Sequence, residues 1–158
     1  MKKYIILLTL LYTTTAHAGI VEVAQSNIGK GEVGGNNKGA FVKLVNKGLE
    51  ASWCAGFVSY TLKEAGITTL KYNLSAKAIY NEAKSKNMLT KEPKAGNLIC
   101  FWRGKKNGWQ GHIGIIESVD NEYIYTIEGN VGNYPAKVAK YKYARNDIPK
   151  LLGFVEVK

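Results

Sequence analysis

The sequence predicts an α+β fold, in which N-terminal helices pack on an antiparallel sheet. In the first half of the chain, apolar residues recur with the three-to-four-residue spacing of helices. In the second half the period changes to two, and segments rich in β-branched and aromatic residues are separated by turn residues. Because the helices come first and the strands follow as a meander, the strands are expected to pair antiparallel in one sheet.

The first eighteen residues have the composition of a secretory signal peptide. Lys2 and Lys3 precede a short apolar stretch, and Ala16-His17-Ala18 forms a small-x-small cleavage site. The apolar stretch is too short for a comfortable membrane span. We therefore expect residues 1–18 to be removed, residues 19–158 to form one domain, and the protein to be exported to the periplasm or outside the cell.

Four helices are predicted before residue 88. The first covers residues 20–28, and the second covers residues 39–46, after a Gly/Asn-rich loop. The third is the strongest: Ser52 is a candidate N-cap, Gly66 a candidate end, and the apolar face comprises Cys54, Phe57, Val58, Thr61, Leu62 and Ala65. The fourth follows Ser75, another candidate N-cap. Five strands are expected after them, at residues 97–102, 112–119, 122–130, 136–144 and 151–157.

Composition and charge narrow the functional classes. The chain is 46% apolar and 22% charged, as an ordinary globular domain is. Loss of Lys2 and Lys3 lowers the formal net charge from +10 to +8, which favours peripheral contact with an acidic cell envelope. The lysines are scattered, so no nucleic-acid-binding patch is expected. Only two cysteines and one histidine follow residue 18, so no metal is expected. We also expect no other cofactor, and we expect the protein to be a monomer.

Cys54 has three possible roles: a small core residue, half of a disulfide, or a nucleophile. Cys100, in the segment NLICFW, alternates with Ile99 and Phe101, as a small residue in a buried strand does. A cysteine attacks as a thiolate, which forms most readily at a helix N-terminus beside an imidazolium. Cys54 stands at such a helix start. We therefore expect Cys54 to face a cleft and to remain unbridged.

His112 and two polar residues can complete a catalytic site with Cys54. If residues 120–122 form a three-residue hairpin loop, Val119 faces Tyr123 and His112 lies opposite Asn130; a loop one step earlier places His112 opposite Glu128. Either odd loop puts the three residues on one face, whereas a two-residue turn would pair His112 with Gly129. A third polar group must orient the imidazole, and Glu128 or Asn130 can do so.

Four segments carry a resemblance to a known family: WCAGFVSY, EPKAGNLICFW, GHIGIIESV and IEGN. In this order they resemble the motifs of the CHAP domain family, cysteine peptidases and amidases of bacterial and phage peptidoglycan. The resemblance spans nearly all of residues 25–157. It implies a papain-like fold related to NlpC/P60 domains, with Cys54 as nucleophile, His112 as base, Glu128 as orienting residue and Asn130 as a further polar member.

The chain departs from the family pattern in two places. Asn97 stands where the P-x-G-D motif has aspartate, which is expected to affect a turn and not the chemistry. Some relatives have an acidic calcium loop before the cysteine, but here that region has Glu32 alone, and one carboxylate is a poor calcium site.

Four residues are expected to contact the substrate. Asn36 and Asn37 lie in the loop GEVGGNNKG, which resembles a substrate-side loop of some relatives and can also be read as a flexible turn. Trp53 precedes the nucleophile, and Trp109 can stack on a sugar ring or line the cleft. The expected function is hydrolysis of an amide bond in the peptidoglycan stem peptide. The alternatives are a secreted cysteine peptidase or amidase that acts on protein, and a catalytically silent wall-binding module.

Overall fold

Residues 19–158 are described by the structure, a computed structural model; the predicted signal peptide, residues 1–18, lies outside the described residues. The helices are α1 (Ile20–Gln25), α2 (Ala40–Val45), α3 (Cys54–Glu64) and α4 (Ala76–Ser85). The strands are β1 (Leu89–Thr90), β2 (Leu98–Trp102), β3 (Gly111–Val119), β4 (Tyr123–Val131), β5 (Lys137–Ala144) and β6 (Leu151–Val155). They form one antiparallel sheet in the order β1-β6-β2-β3-β4-β5, and the predicted α+β class is confirmed.

Local sequence sets the ends of the helices. α3 ends before Gly66, whose positive φ of 73° lets the N–H of Ile67 return to the carbonyl of Leu62. Ser75 caps α4 as predicted, since its hydroxyl accepts the N–H of Ala78. α1 is shorter than predicted because the side chains of Ser26 and Asn27 both bond to the carbonyl of Val23. Within residues 19–158, no helix has the length and apolarity that a bilayer crossing requires.

The start of α3 differs from the prediction. The helix begins at Cys54, so Trp53 and not Ser52 holds the N-cap position. Among the described residues, the Trp53 side chain makes no capping hydrogen bond. The predicted capping role of Ser52 is therefore wrong, and the first amides of α3 lack a side-chain cap at their N-terminus.

The sheet is not a simple meander. β2 to β5 pair in sequence order, but β6 returns to pair with β2 and does not extend the sheet beyond β5. Beside β2, strand β6 contributes to both cores: Val155 joins the core under the helices, and Phe154 joins the core on the opposite face. β1, a two-residue strand beside β6, was not predicted because it is too short to show a period.

Two buried clusters cover the two faces of the sheet. The larger one lies under the helices and includes Phe57, Cys100 and Ile113. The smaller one is built on the opposite face from Ile99, Phe101, Ile116, Ile124 and Phe154. Cys100 thus packs in a core on a face away from Ile99 and Phe101, as its alternation predicted.

The β3–β4 hairpin reaches the predicted pairing by a different route. Its tip follows the register Val119↔Ile124, which corresponds to a two-residue turn, so the predicted three-residue loop is wrong. A β-bulge between Ile116 and Ser118 then shifts the register by one residue, to Ile115↔Ile127. With a two-residue turn alone, the predicted pairing of His112 with Asn130 would be shifted by one residue. The bulge restores that register.

Candidate active site

Cys54 lies at the first position of α3 and at the floor of an open cleft of about 400 Å³. Its side chain is largely buried, with 8% of its surface exposed. His112, at the start of β3, lines the same cleft. The helix start and the strand start therefore bring the two predicted reactive groups together.

Glu128 is the hydrogen-bond partner of His112. The Nε2 atom of His112 lies 2.6 Å from Oε2 of Glu128, and both side chains are buried, with 4% and 0% exposed. This bond leaves Nδ1 as the ring nitrogen available to Cys54. The residue pattern left Glu128 and Asn130 open as the orienting residue, and the side chain bonded to His112 is that of Glu128.

A glycine makes room for the Glu128 side chain. The register of the hairpin, continued from Ile115↔Ile127, places Gly114 beside Glu128. A Cβ atom on Gly114 would lie 2.6 Å from Cγ of Glu128. Glu128 thus crosses over Gly114 to reach His112, and the absence of a side chain at Gly114 leaves room for it.

Thr126 completes the support of this carboxylate. Its hydroxyl donates to Oε1 of Glu128 at 2.6 Å, and Thr126 is fully buried. The sequence analysis missed Thr126, although a signal was present: the polar positions 126, 128 and 130 alternate along β4. A polar residue two positions before a buried carboxylate lies on the same face of the strand.

The protonation of the buried pair follows from its contacts. Burial by itself lowers the pKa of His112, but hydrogen bonds with the Cys54 and Glu128 side chains outweigh burial and raise it from 6.5 to about 9. For Glu128, burial raises the pKa, but the bond and charge of His112, with Thr126 and Tyr143, hold it below the usual 4.5. At neutral pH the pair is therefore an imidazolium and a carboxylate.

The stability of the fold is expected to depend on this pair. Because the folded-state pKa of His112 is raised, its contribution is complete below about pH 6.5 and is lost as the pH rises through about 9. Because that of Glu128 is lowered, its contribution is complete above about pH 4.5 and is lost as the pH falls through the folded-state value. The melting temperature should therefore contain a contribution that is greatest between about pH 4.5 and 6.5. Thermal melts from pH 4 to 10 measure it, and an unchanged profile in a His112→Ala, Glu128→Gln variant would contradict it.

The cleft has a polar lining around the two reactive residues. Asn130 lines it, with a positive φ of 59° at an interruption of the β4–β5 register, and Trp109 stands at its rim with 82% of its surface exposed. The sequence analysis missed several further lining residues: Ser52, Leu74, Ser75, Arg103, Gln110 and Gly132. They come from loops and helix ends, where no period marks them.

Three predicted substrate contacts do not line this cleft. Trp53 is fully buried, and its indole N–H points to Oε1 of Glu32 at 3.3 Å, so its side chain cannot touch a substrate. Asn36 is exposed and Asn37 is half-buried, but neither lines the cleft that holds Cys54.

Glu32 explains the position of the loop that carries Asn36 and Asn37. Its buried carboxylate accepts the backbone N–H of Asn37 at 2.9 Å and that of Ala136 at 2.8 Å, besides the indole of Trp53. The loop is thus tied through Glu32 to the β4–β5 connection and to Trp53. Glu32 serves as a hydrogen-bond acceptor here. Within residues 19–158, no group of three or more His, Cys, Asp or Glu residues could hold a metal ion.

Asn97 has the role in a turn that its place in the motif predicted. Its side-chain oxygen accepts the N–H of Lys94 at 3.0 Å, and its own N–H bonds to the carbonyl of Lys94. The amide therefore closes the turn before β2, in the position where the motif has aspartate.

The two thiols are expected to react at different rates. Both cysteines are free, as predicted, but Cys100 is fully buried in the core under the helices, and burial raises the pKa of its thiol well above the usual range. Thiolate formation at Cys100 is therefore suppressed. Mass spectrometry after brief iodoacetamide treatment of the native protein should find the label on Cys54 first. Cys100→Ala should keep its activity, and faster labelling of Cys100 would contradict the assignment.

Comparisons with known proteins agree with this geometry. The model of the family described as "CHAP domain" matches residues 46–130, which include Cys54, His112 and Glu128. No curated protein sequence matches the chain.

Two solved structures are similar in fold. One is titled "The crystal structure of Ly7917", with a TM-score of 0.58 and 17% identity over 91% of this chain and 63% of that one. The other, "The crystal structure of Ly7917 with the hydrolyzing product of MDP", has a TM-score of 0.54 and 17% identity over 87% and 61%. This chain thus spans less than two thirds of the length of those chains. Because the family model covers more than half of the 158 residues, the chain belongs to the CHAP domain family.

Proposed function

We propose that the protein is an exported cysteine hydrolase that cleaves an amide bond in the stem peptide of peptidoglycan. The observation that carries the proposal is an open cleft lined by both Cys54 and His112, with His112 held by the buried carboxylate of Glu128. Membership of the CHAP domain family and a structural neighbour solved with the hydrolysis product of MDP, a peptidoglycan fragment, support the substrate class. The predicted signal peptide supports export.

The reaction is acyl transfer to Cys54. The Cys54 sulfur attacks the carbonyl carbon of the scissile amide and forms a tetrahedral intermediate. The amides of the first turn of α3 donate to its oxyanion, because they lack acceptors within the helix and begin at the cleft. The helix macrodipole favours negative charge at the same place.

His112 moves the protons. With a pKa of about 9 it carries a proton at neutral pH, which it gives to the leaving amine as the C–N bond breaks. The neutral imidazole then takes a proton from water, and the resulting hydroxide attacks the thioester. Collapse of the second intermediate releases a carboxylic acid and frees the Cys54 sulfur. His112 keeps the proton that it took from water and is again in its starting state. Glu128 holds the ring orientation throughout and stabilises the imidazolium form.

Digestion of purified sacculi tests the proposal. The protein should release soluble fragments, and mass spectrometry of these fragments should show a new amine and a new carboxyl terminus at one amide bond. Casein in a parallel digestion serves as the alternative substrate and should stay intact. Cleavage of casein with intact sacculi would favour a protein-directed peptidase, and binding to sacculi without product would favour a silent wall-binding module.

A further inference from the structure

A second groove adjoins the catalytic cleft. Its volume is about 560 Å³, and it lies between the first turns of α4 and the loop that joins β2 to β3. Ser75 and Trp109 line both the groove and the cleft that holds Cys54. A substrate that occupies the cleft can therefore continue past Trp109 into the groove.

The groove has a polar lining. Asn81 and Asn107 each offer an amide donor and an amide acceptor, and Ser75 adds a hydroxyl. Lys77 is the one charged residue of the described lining, and its ammonium group is bonded to the carbonyl of Lys106. Among the described residues, its lining includes no carboxylate, so it is not suited to a cation. Ala78 is its one aliphatic side chain, so it offers no pocket for a large apolar residue of a peptide.

Trp109 supplies a flat apolar surface at the boundary. Its side chain is 82% exposed, which is the highest exposure among the large hydrophobic residues described in the structure. In water, covering such a surface is favourable when the ligand is apolar on one face and polar at its edge. A pyranose ring has this character, because its C–H groups form a face and its hydroxyl groups form the edge.

The loop that carries Trp109 is tied to α4. The Lys77 ammonium group, on α4, donates at 2.9 Å to the backbone carbonyl of Lys106, in the β2–β3 loop. A preformed groove loses less conformational entropy on binding than one that a ligand must assemble. The tie therefore favours a site that exists before the ligand arrives.

We propose that this groove binds a sugar ring of the glycan strand, with Trp109 against the face of the ring and Asn81 and Asn107 hydrogen-bonded to its hydroxyl and acetamido groups. The inference rests on the proposed function, since peptidoglycan joins sugar and stem peptide covalently. With the stem peptide beside Cys54, the attached sugar lies past Trp109. The groove thereby favours sugar-bearing substrates over free peptides.

Binding measurements on an inactive protein test the inference. In the Cys54→Ala protein, calorimetry should give at least about tenfold tighter binding for a disaccharide-linked stem peptide than for the same peptide without sugar. Adding Trp109→Ala should weaken binding of the sugar-linked peptide by much more than binding of the free peptide, and so remove most of this difference. Adding Asn81→Ala and Asn107→Ala together should reduce the difference as well. Tyr134→Ala is the matched control, because Tyr134 is an aromatic residue with 52% exposure that lines neither the cleft nor the groove.

The possible results separate this inference from the proposed function. Equal affinity for the two ligands in the Cys54→Ala protein, or an equal loss for both on Trp109→Ala, would overturn the sugar site. If the unmutated protein nevertheless releases fragments from sacculi, the proposed function stands while the sugar site fails. If it leaves sacculi intact, the proposed function fails.

Discussion

Cys54→Ala is expected to abolish the release of fragments from sacculi, and His112→Ala is expected to do the same. In the proposed mechanism, Cys54 supplies the attacking sulfur and His112 supplies the proton for the leaving amine. Removal of either the nucleophile or its base from a comparable triad costs roughly 10⁶-fold in turnover. Turnover on sacculi or on a purified muropeptide measures the effect.

The second cysteine provides the control for this experiment. Cys100→Ala makes the same chemical change at a thiol that lies in the core and not in the cleft. It should keep nearly full turnover, while Cys54→Ala should lose it and keep a cooperative thermal unfolding transition. Fragment release by folded Cys54→Ala protein would overturn the mechanism.

Glu128→Gln is expected to lower turnover by roughly 10²–10⁴-fold, with a smaller effect on KM, because an amide does not stabilise the imidazolium as a carboxylate does. The bond and charge of Glu128 help to raise the pKa of His112 to about 9. The variant should therefore lose activity at a lower alkaline pH than the unmutated protein. A pH–rate profile with an unmoved alkaline limb would show that Glu128 does not act through His112.

Gly114→Ala is expected to have a similar effect without altering any catalytic group. The added Cβ would lie 2.6 Å from Cγ of Glu128, so the carboxylate must leave its place beside His112. If both changes act through that one contact, Glu128→Gln should cost little more in the Gly114→Ala protein. Full additivity of the two losses in turnover would indicate separate roles.

The order of helices and strands along the chain, and the approach of His112 to Cys54 and Glu128, could be predicted from the sequence. The length of the β3–β4 turn could not. Alternation placed His112 and Glu128 on one face only for an odd loop, and the turn is even. The bulge at Glu117 shifts the register by one residue and so returns the two residues to one face. The Glu117 carboxylate is bonded to Gln25 of α1 and Lys140 of β5. These partners are distant in sequence, so no local pattern announces the bulge.

The remaining differences have the same physical origin. Trp53 stands next to Cys54 in sequence, but its burial depends on two distant residues. Glu32, 21 residues earlier, accepts its N–H, and the Phe41 ring packs edge to face with the Trp53 ring. Arg103 and Gln110 reach the cleft because the β2–β3 loop folds back beside α4. Neither effect has a period that a sequence window can detect.

The open start of α3 also bears on attempts to make the protein more heat-resistant. A side-chain cap on a helix contributes about 1 kcal/mol to folding, and α3 lacks it because the Trp53 side chain has an N–H donor but no acceptor for the helix amides. A capping substitution there would remove the fully buried Trp53 indole, which costs more stability than a cap contributes, and would occupy the amides that the proposed mechanism uses. A smaller gain, about a few tenths of a kcal/mol, is open without those losses at Gly19, which holds the N-cap position of α1 and lies outside the cleft lining.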